Sequence, residues 1–381
     1  MRRKSPTDYA LLAVILILVL AGLVMVLSAS AILAEKRFGA PWFFFKRQLL
    51  WASLGSAAMW FFSRLNYNRL KEWVWPVFFI TAAGLTAALL APARENVRRW
   101  LPLGPFTLQP SEFAKYTAVL FLAHYLDRKH SKAASPIGGL VAPGAVVSAL
   151  LLLIALEPDL GTPILIFSVT VLVIWIGGGR LLHLLGAGVL ALPMVVIEIF
   201  RHPYRLKRIV HYLSMLHGNS DTGYQLEQAI LAVGSGGWLG KGIGASQLKL
   251  GYLPTPHTDF IFPVVCEELG LAGALALLGL FATLLVRGLR VARAAPNLFG
   301  SLLAAGITLT ICLQAFINAC MSIGLLPTKG MPMPFISYGG SSLLVTMAAA
   351  GVLLNISRQS SLHARYTGQA PSPYGRTGGH R

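Results

Sequence analysis

Asp259 stands where a polar loop gives way to an apolar run, in the stretch Gly251-Tyr252-Leu253-Pro254-Thr255-Pro256-His257-Thr258-Asp259-Phe260. Two prolines and a glycine shape the backbone just ahead of it. A carboxylate held where a loop enters a bilayer is costly unless it is paired or used. Asp259 is therefore the candidate chemical centre of a membrane-embedded enzyme. His257 lies two residues away, which is not the spacing of zinc ligands on a helix, and no metal ligand is assigned.

Other polar groups gather at the ends of apolar runs on the same side. Arg98-Arg99-Trp100 precedes Gln109-Pro110-Ser111-Glu112-Phe113-Ala114-Lys115. Glu112 and Lys115 are three apart and share a helix face. They could form a structural ion pair at a helix start, or Glu112 could orient Lys115 as a buried cation for phosphate. Glu157-Pro158-Asp159 joins two apolar runs. Its carboxylates could hold a cation or solvate a tight turn. Arg201, Arg205, Lys207 and Arg208 follow another apolar run, suited either to anionic headgroups or to a ligand phosphate. Glu267 and Glu268 invite pairing with loop cations or water, and the run from Pro332 to Ser342 reads as a rigid polar lining that caps the last apolar helix.

The elements that must position these groups are membrane helices. Of the 381 residues, 55% are hydrophobic and 12% charged, whereas a soluble domain carries roughly 25% charged residues. The fold class expected is an all-α polytopic membrane protein of about ten transmembrane helices, each needing about 20 apolar residues. The expected spans are 9–33, 42–63, 73–90, 110–126, 136–156, 163–176, 181–200, 260–286, 298–325 and 341–356. A long extracytoplasmic loop separates the seventh from the eighth, and within it 225–233 has the spacing of an interfacial or re-entrant helix. The first run is too long for a cleaved signal peptide. Residues 1–358 form the transmembrane domain, and 359–381, without apolar period, a disordered cytoplasmic tail. Ten spans and the basic Met1-Arg2-Arg3-Lys4 place both termini in the cytoplasm, in a multi-pass protein of the cytoplasmic membrane.

Lys and Arg number 32 against 14 Asp and Glu, a formal charge of +18. In this composition the excess speaks for membrane topology and anionic membrane lipids rather than nucleic acid. On the expected map roughly 17 basic residues fall inside and roughly 14 outside, a weak bias that leaves the outer face unusually basic. A polyanionic ligand there, such as a pyrophosphate-linked lipid, would account for it. Cys266, Cys312 and Cys320 suggest neither a disulfide framework nor a zinc site.

Taken in order, several runs resemble the SEDS family (shape, elongation, division and sporulation). They are Leu27-Ser28-Ala29-Ser30, Lys46-Arg47-Gln48, Arg98-Arg99-Trp100-Leu101-Pro102-Leu103-Gly104, Gln109-Pro110-Ser111-Glu112, Glu157-Pro158-Asp159-Leu160-Gly161-Thr162, Gly234-Ser235-Gly236-Gly237, His257-Thr258-Asp259-Phe260 and Pro334-Phe335-Ile336-Ser337-Tyr338-Gly339-Gly340-Ser341-Ser342. The resemblance covers the chain to about Arg358 and is nearer to the family's FtsW division branch than to its RodA elongation branch. The chain departs from the pattern at Thr255, where Glu is usual, at Cys266, where Gly is usual, and at Glu95-Asn96-Val97, where Asn-Gly precedes the paired arginines.

The resemblance implies a peptidoglycan glycosyltransferase that polymerises lipid II into a nascent glycan strand outside the cytoplasmic membrane, for septal wall synthesis. Its implied partners are a class B penicillin-binding protein transpeptidase and other divisome proteins. Asp259 is implied as the catalytic base. Lys115, Arg98, Arg99 and Arg208 become candidate diphosphate contacts, and Glu112 and Asp159 would position Lys115 or hold a cation. Gln109, His257 and Ser337 complete the substrate-binding set. One base suffices for the acceptor hydroxyl, while the leaving diphosphate calls for cations or a divalent metal such as Mg or Mn. A lipid II flippase, a lateral-wall polymerase and a non-catalytic scaffold are the rival readings. A flippase would more naturally show inverted repeats and mid-bilayer polar groups.

Overall fold

The computed structural model describes residues 7–92, 98–104, 106–157, 159, 161–201, 206, 210, 212–214, 224–250, 257–328 and 330–367. Arg208, Thr255, the run Glu95-Asn96-Val97 and the tail beyond Thr367 lie outside them. The protein is a helical bundle. Its helices are α1 (Tyr9–Phe38), α2 (Phe43–Arg64), α3 (Leu70–Leu90), α4 (Pro110–Arg128), α5 (Ala142–Leu156), α6 (Gly161–Ile176), α7 (Leu181–Phe200), α8 (Tyr224–Ser235), α9 (Ile261–Arg293), α10 (Leu298–Ser322) and α11 (Gly340–Thr367). Among the described residues, six helical segments are long and apolar enough to cross a membrane: Tyr9–Phe38, Tyr67–Leu90, Pro136–Leu156, Ile261–Arg293, Leu298–Ser322 and Gly340–Ser360. Gly161–Ile176 is equally apolar but shorter.

The helices outrun several expected edges. α1 continues past Leu33 to Phe38, where Gly39 in the left-handed region caps it. α9 passes Val286 to Arg293, and α11 passes Ile356 to Thr367, carrying helix through residues 359–367 that the sequence assigns to the tail. Apolar content marks the lipid-crossing part of a helix and is blind to polar turns beyond it. The expected all-α class misses one small feature. Leu101–Leu103 (β1) and Phe106–Leu108 (β2) pair antiparallel, Leu101 opposite Leu108, around Gly104.

α10 is the central post. It packs against α4, α6, α9 and α11, while α11 lies along α2, and α1 joins α2 to α9. Small residues such as Ala304, Ala305, Ala315 and Ala319 let neighbouring backbones approach it closely. Leu302, Leu303, Ile307 and Ile311 fill the gaps and are almost fully buried.

α9 is broken at Gly270 (φ 67°, ψ −167°). The segment after α8 fills the break and satisfies its freed backbone groups. Leu271 N–H donates to the Gly237 carbonyl (2.9 Å) and Ala272 N–H to that of Trp238 (3.1 Å). In return Lys241 and Gly242 donate to the carbonyls of Glu267 and Glu268, each at 3.0 Å. A Cβ at Gly270 would collide with the backbone of Trp238 and Gly240, so only glycine serves there. The pairing expected for the two glutamates is present. Glu267 accepts from Lys241 Nζ (2.8 Å) and Ser246 Oγ (2.6 Å), and Glu268 from Lys249 Nζ (2.9 Å) and Ser28 Oγ (2.7 Å).

Candidate active site

Asp259 lies in the turn that leads into α9, and α10 holds its main chain. Asn318 Nδ2 donates to the Asp259 carbonyl (2.9 Å) and also to that of Met331 (2.7 Å). One turn earlier on the same helix face, Gln314 Nε2 donates to the Pro332 carbonyl (2.7 Å). Two amides at i and i+4 thus fasten the Asp259 turn and the 330–339 loop to one rigid post. Tyr338 N–H adds a bond to the His257 carbonyl (2.9 Å). Phe335 in the same loop is buried at φ 66°, a strained conformation for a bulky residue.

The Asp259 side chain is half-buried. It faces Arg99 across Gly330. A Cβ built on that glycine would stand 3.2 Å from Asp259 Oδ2 and 3.8 Å from Arg99 Nη1. Carboxylate and guanidinium therefore converge on a position that a side chain would occupy. Arg99 reaches it from the strand-like lead into β1, with its guanidinium 5.8 Å from the Trp100 ring. The two belong to segments far apart in sequence, and both reach within 4 Å of the position a Gly330 Cβ would take.

Arg99 and Thr258 also border a cavity of about 600 Å³ between the α1–α2 corner and the β1–β2 hairpin. Arg37 and Arg47 add two further guanidinium groups, and Phe43, Phe44, Trp51 and Trp100 supply aromatic walls. Trp51 meets Phe106 of the hairpin edge to face at 5.2 Å, which fixes the hairpin on α2. Cations beside aromatic faces suit a phosphate-bearing amphiphile: guanidinium forks for phosphate oxygens, rings for apolar and sugar surfaces. Arg37, Arg47 and these rings are absent from the residues singled out in the sequence as substrate-binding, although Lys46-Arg47-Gln48 carries part of the resemblance.

The other singled-out residues have different surroundings. Lys115 is buried, and its ammonium donates to Glu112 Oε2 (2.7 Å) and Gln314 Oε1 (2.6 Å). This ties α4 to α10 as a satisfied structural network. Asp159 spends both oxygens capping α6. Oδ1 accepts from Gly161 N–H (2.9 Å) and Thr162 N–H (3.2 Å), and Oδ2 accepts from Thr162 Oγ1 (2.8 Å). Gln109 Nε2 donates to Ser111 Oγ at 2.9 Å. Ser337 Oγ accepts from Met333 N–H at 2.8 Å, so it closes its own turn rather than capping α11. His257 is buried between Phe44 and Tyr338, with ring centroids 4.6 and 5.5 Å away. Burial pushes its imidazole down to about 4, so it is neutral at pH 7. Arg98 is exposed.

Glu157, by contrast, is fully buried, and neither of its oxygens finds a hydrogen-bond partner among the described residues. Burial, then the neighbouring Asp159, pushes its carboxyl up to about 8, against the opposing pull of Arg99. It carries a proton at pH 7. The sequence signal was the Glu-Pro-Asp turn, but its weight fell on Asp159. The same holds for Gln314 and Asn318, two amides inside an apolar run.

Among the described residues no group of three or more His, Cys, Asp or Glu side chains could hold a metal ion. The donor set at Asp259, one carboxylate beside a guanidinium, does not make a resident divalent site, and no chemical step is assigned to a metal.

Residues 9–362 match the family model described as cell cycle protein, FtsW/RodA/SpoVE. The chain is 40% identical to stage V sporulation protein E of Bacillus subtilis, over 94% of this chain and 99% of that protein. It is 38% identical to a probable peptidoglycan glycosyltransferase FtsW of Trichlorobacter lovleyi, over 93% and 94% of the two chains. Among solved structures, it is similar to a chain of a peptidoglycan synthase complex that coordinates polymerization and crosslinking (TM-score 0.77, 27% identity, 93% of this chain and 98% of that one). It also resembles the rod shape determining protein RodA of Thermus thermophilus (TM-score 0.69, 26% identity, 93% and 97%).

Proposed function

The chain belongs to the FtsW/RodA/SpoVE family of cell cycle proteins, and on that premise we propose that it is a peptidoglycan glycosyltransferase polymerising lipid II at the outer face of the cytoplasmic membrane. The observation that carries this reading is the meeting of Asp259 with Arg99 across Gly330, beside an arginine-lined aromatic cavity. Glycan elongation needs both halves of that arrangement. Asp259 takes the proton of the acceptor sugar's 4-hydroxyl as the oxygen bonds to the anomeric carbon of the donor. The bond from that carbon to the lipid diphosphate breaks with inversion, and the diphosphate departs with the electron pair. Arg99, with Arg37 and Arg47 behind it, meets the charge that develops on the leaving group. A positioned base of this kind contributes roughly 10²–10⁴ in rate. Asn318 and Gln314 position Asp259, and Lys115 supports the scaffold.

In this reading α1 to α7 and α9 to α11 are ten spans, both termini are cytoplasmic, and α8 belongs to the long outer loop. The relatives' names, a sporulation protein and FtsW, support a septal role. A class B penicillin-binding protein transpeptidase is the proposed partner, in keeping with a structural relative described by coordinated polymerization and crosslinking. Other divisome proteins would assemble around that pair. Reconstitution of the purified protein with lipid II tests the activity. Glycan product is expected, with or without an added transpeptidase. Translocation without product would replace this reading with a flippase, and neither would make the protein a scaffold.

A further inference from the structure

Two polar levels can be read off the bundle without reference to catalysis. At one, Asp8 caps α1 and pairs with Arg287 of α9 at 3.6 Å. At the other, Ser28 of α1 donates to Glu268 of α9 at 2.7 Å. At 1.5 Å per residue, Asp8 to Ser28 along α1 and Glu268 to Arg287 along α9 each span about 30 Å, the thickness of a bilayer's hydrocarbon core. Between the levels neither helix carries a charged residue, and Leu16, Ile17, Leu20, Leu271 and Leu275 point outward. The levels thus mark the two edges of the lipid-facing belt.

The segment after α8 crosses the upper edge. The Trp238 carbonyl accepts from Ala272 N–H, four residues beyond Glu268 on the far side of the Gly270 break. Its backbone is satisfied against the α9 break, as irregular backbone at membrane depth requires. Lys241 and Lys249 at the rim are neutralised by Glu267 and Glu268. What remains outward is apolar: Trp238 is 76% exposed, Leu239 83% and Ile243 64%. The patch begins next to Gly237, whose carbonyl accepts from the N–H of the exposed Leu271 of α9.

We propose that residues 236–243 form a re-entrant tip whose Trp238 and Leu239 side chains lie among the lipid acyl chains, anchoring to the bilayer the loop that leads to Asp259. The occupant is lipid, not a protein partner. Tryptophan at the edge of the hydrocarbon and leucine just below it match the ordinary preferences of membrane interfaces.

The test uses the full chain in phosphatidylcholine–phosphatidylglycerol vesicles, with no partner added. A nitroxide is placed at Leu239→Cys in a background where the half-buried Cys312 is Ser, with Leu275→Cys as the lipid-facing reference. The label at 239 is expected to collide more with oxygen than with an aqueous nickel chelate, as at 275. Preference for nickel would place the tip in water, and protection from both would place it against protein; either overturns the proposal. A second measurement leaves the fold intact. Brominated lipids should quench wild-type tryptophan fluorescence more than that of Trp238→Phe, and equal fractional quenching would contradict insertion.

Discussion

Lys115 and Asp259 are gripped by neighbouring turns of the same helix, through Gln314 and Asn318, yet they sit in opposite kinds of environment. Lys115 is fully enclosed, with a carboxylate and an amide oxygen on its ammonium. Asp259 has its main-chain carbonyl held from α10, and the residue itself is half-buried beside Arg99 and an arginine-lined cavity. The difference separates two uses of charge inside a membrane protein. A buried ion with all its partners fixes helix packing and register. An ion whose backbone is fixed but whose side chain is accessible can exchange a proton with a substrate.

The comparison breaks most visibly at Lys115. Replacing it by Met leaves Glu112 buried without its cation, a loss of about 3–5 kcal/mol. Melting temperature and membrane abundance should fall, and Glu112→Gln added to Lys115→Met should recover part of both. Normal stability with lost turnover would move Lys115 into the substrate site.

Glu157 offers the next largest effect, in a pH profile. Its folded carboxyl titrates at about 8 against 4.5 unfolded, so between those values the folded state holds a proton that the unfolded state has released. Stability is therefore full below pH 4.5 and declines as pH rises to 8. The loss is about 3 kcal/mol by pH 7. Thermal melts of Glu157→Gln should lack that slope, and an unchanged slope would remove Glu157 as its source.

A smaller effect belongs to Asn318. Its replacement by Leu leaves the carbonyls of Asp259 and Met331 without their donor, at about 1–3 kcal/mol. If the amide positions the carboxylate, kcat should drop with little change in KM. Equal loss in a variant that destabilises the bundle elsewhere would reduce Asn318 to a structural role.

The legibility of the molecule follows the same division. Helices were readable because apolar runs of span length have few alternatives; Asp259 drew the site proposal because a charge at a membrane edge stands out against them. Helix ends were less so, since α1 and α11 continue through polar turns that apolar content does not register. The β1–β2 hairpin left no periodic signal in three-residue strands. At the site, residue type revealed which groups were charged but not which were already satisfied. Asp159 and Glu157 look equivalent in Glu-Pro-Asp, and only the geometry shows one capping α6 and the other unpartnered among the described residues. Asn318 and Gln314 were legible in principle, as amides in an apolar run, once their cost is weighed.

The central claim is that Asp259 performs the proton transfer while the neighbouring charged network only supports it. The most direct measurement is single-turnover glycan formation from lipid II by Asp259→Asn, reconstituted beside the wild type and matched for melting temperature. The variant should fold normally and lose at least roughly 10²-fold in rate. Wild-type rates in a correctly folded Asp259→Asn protein would contradict the account.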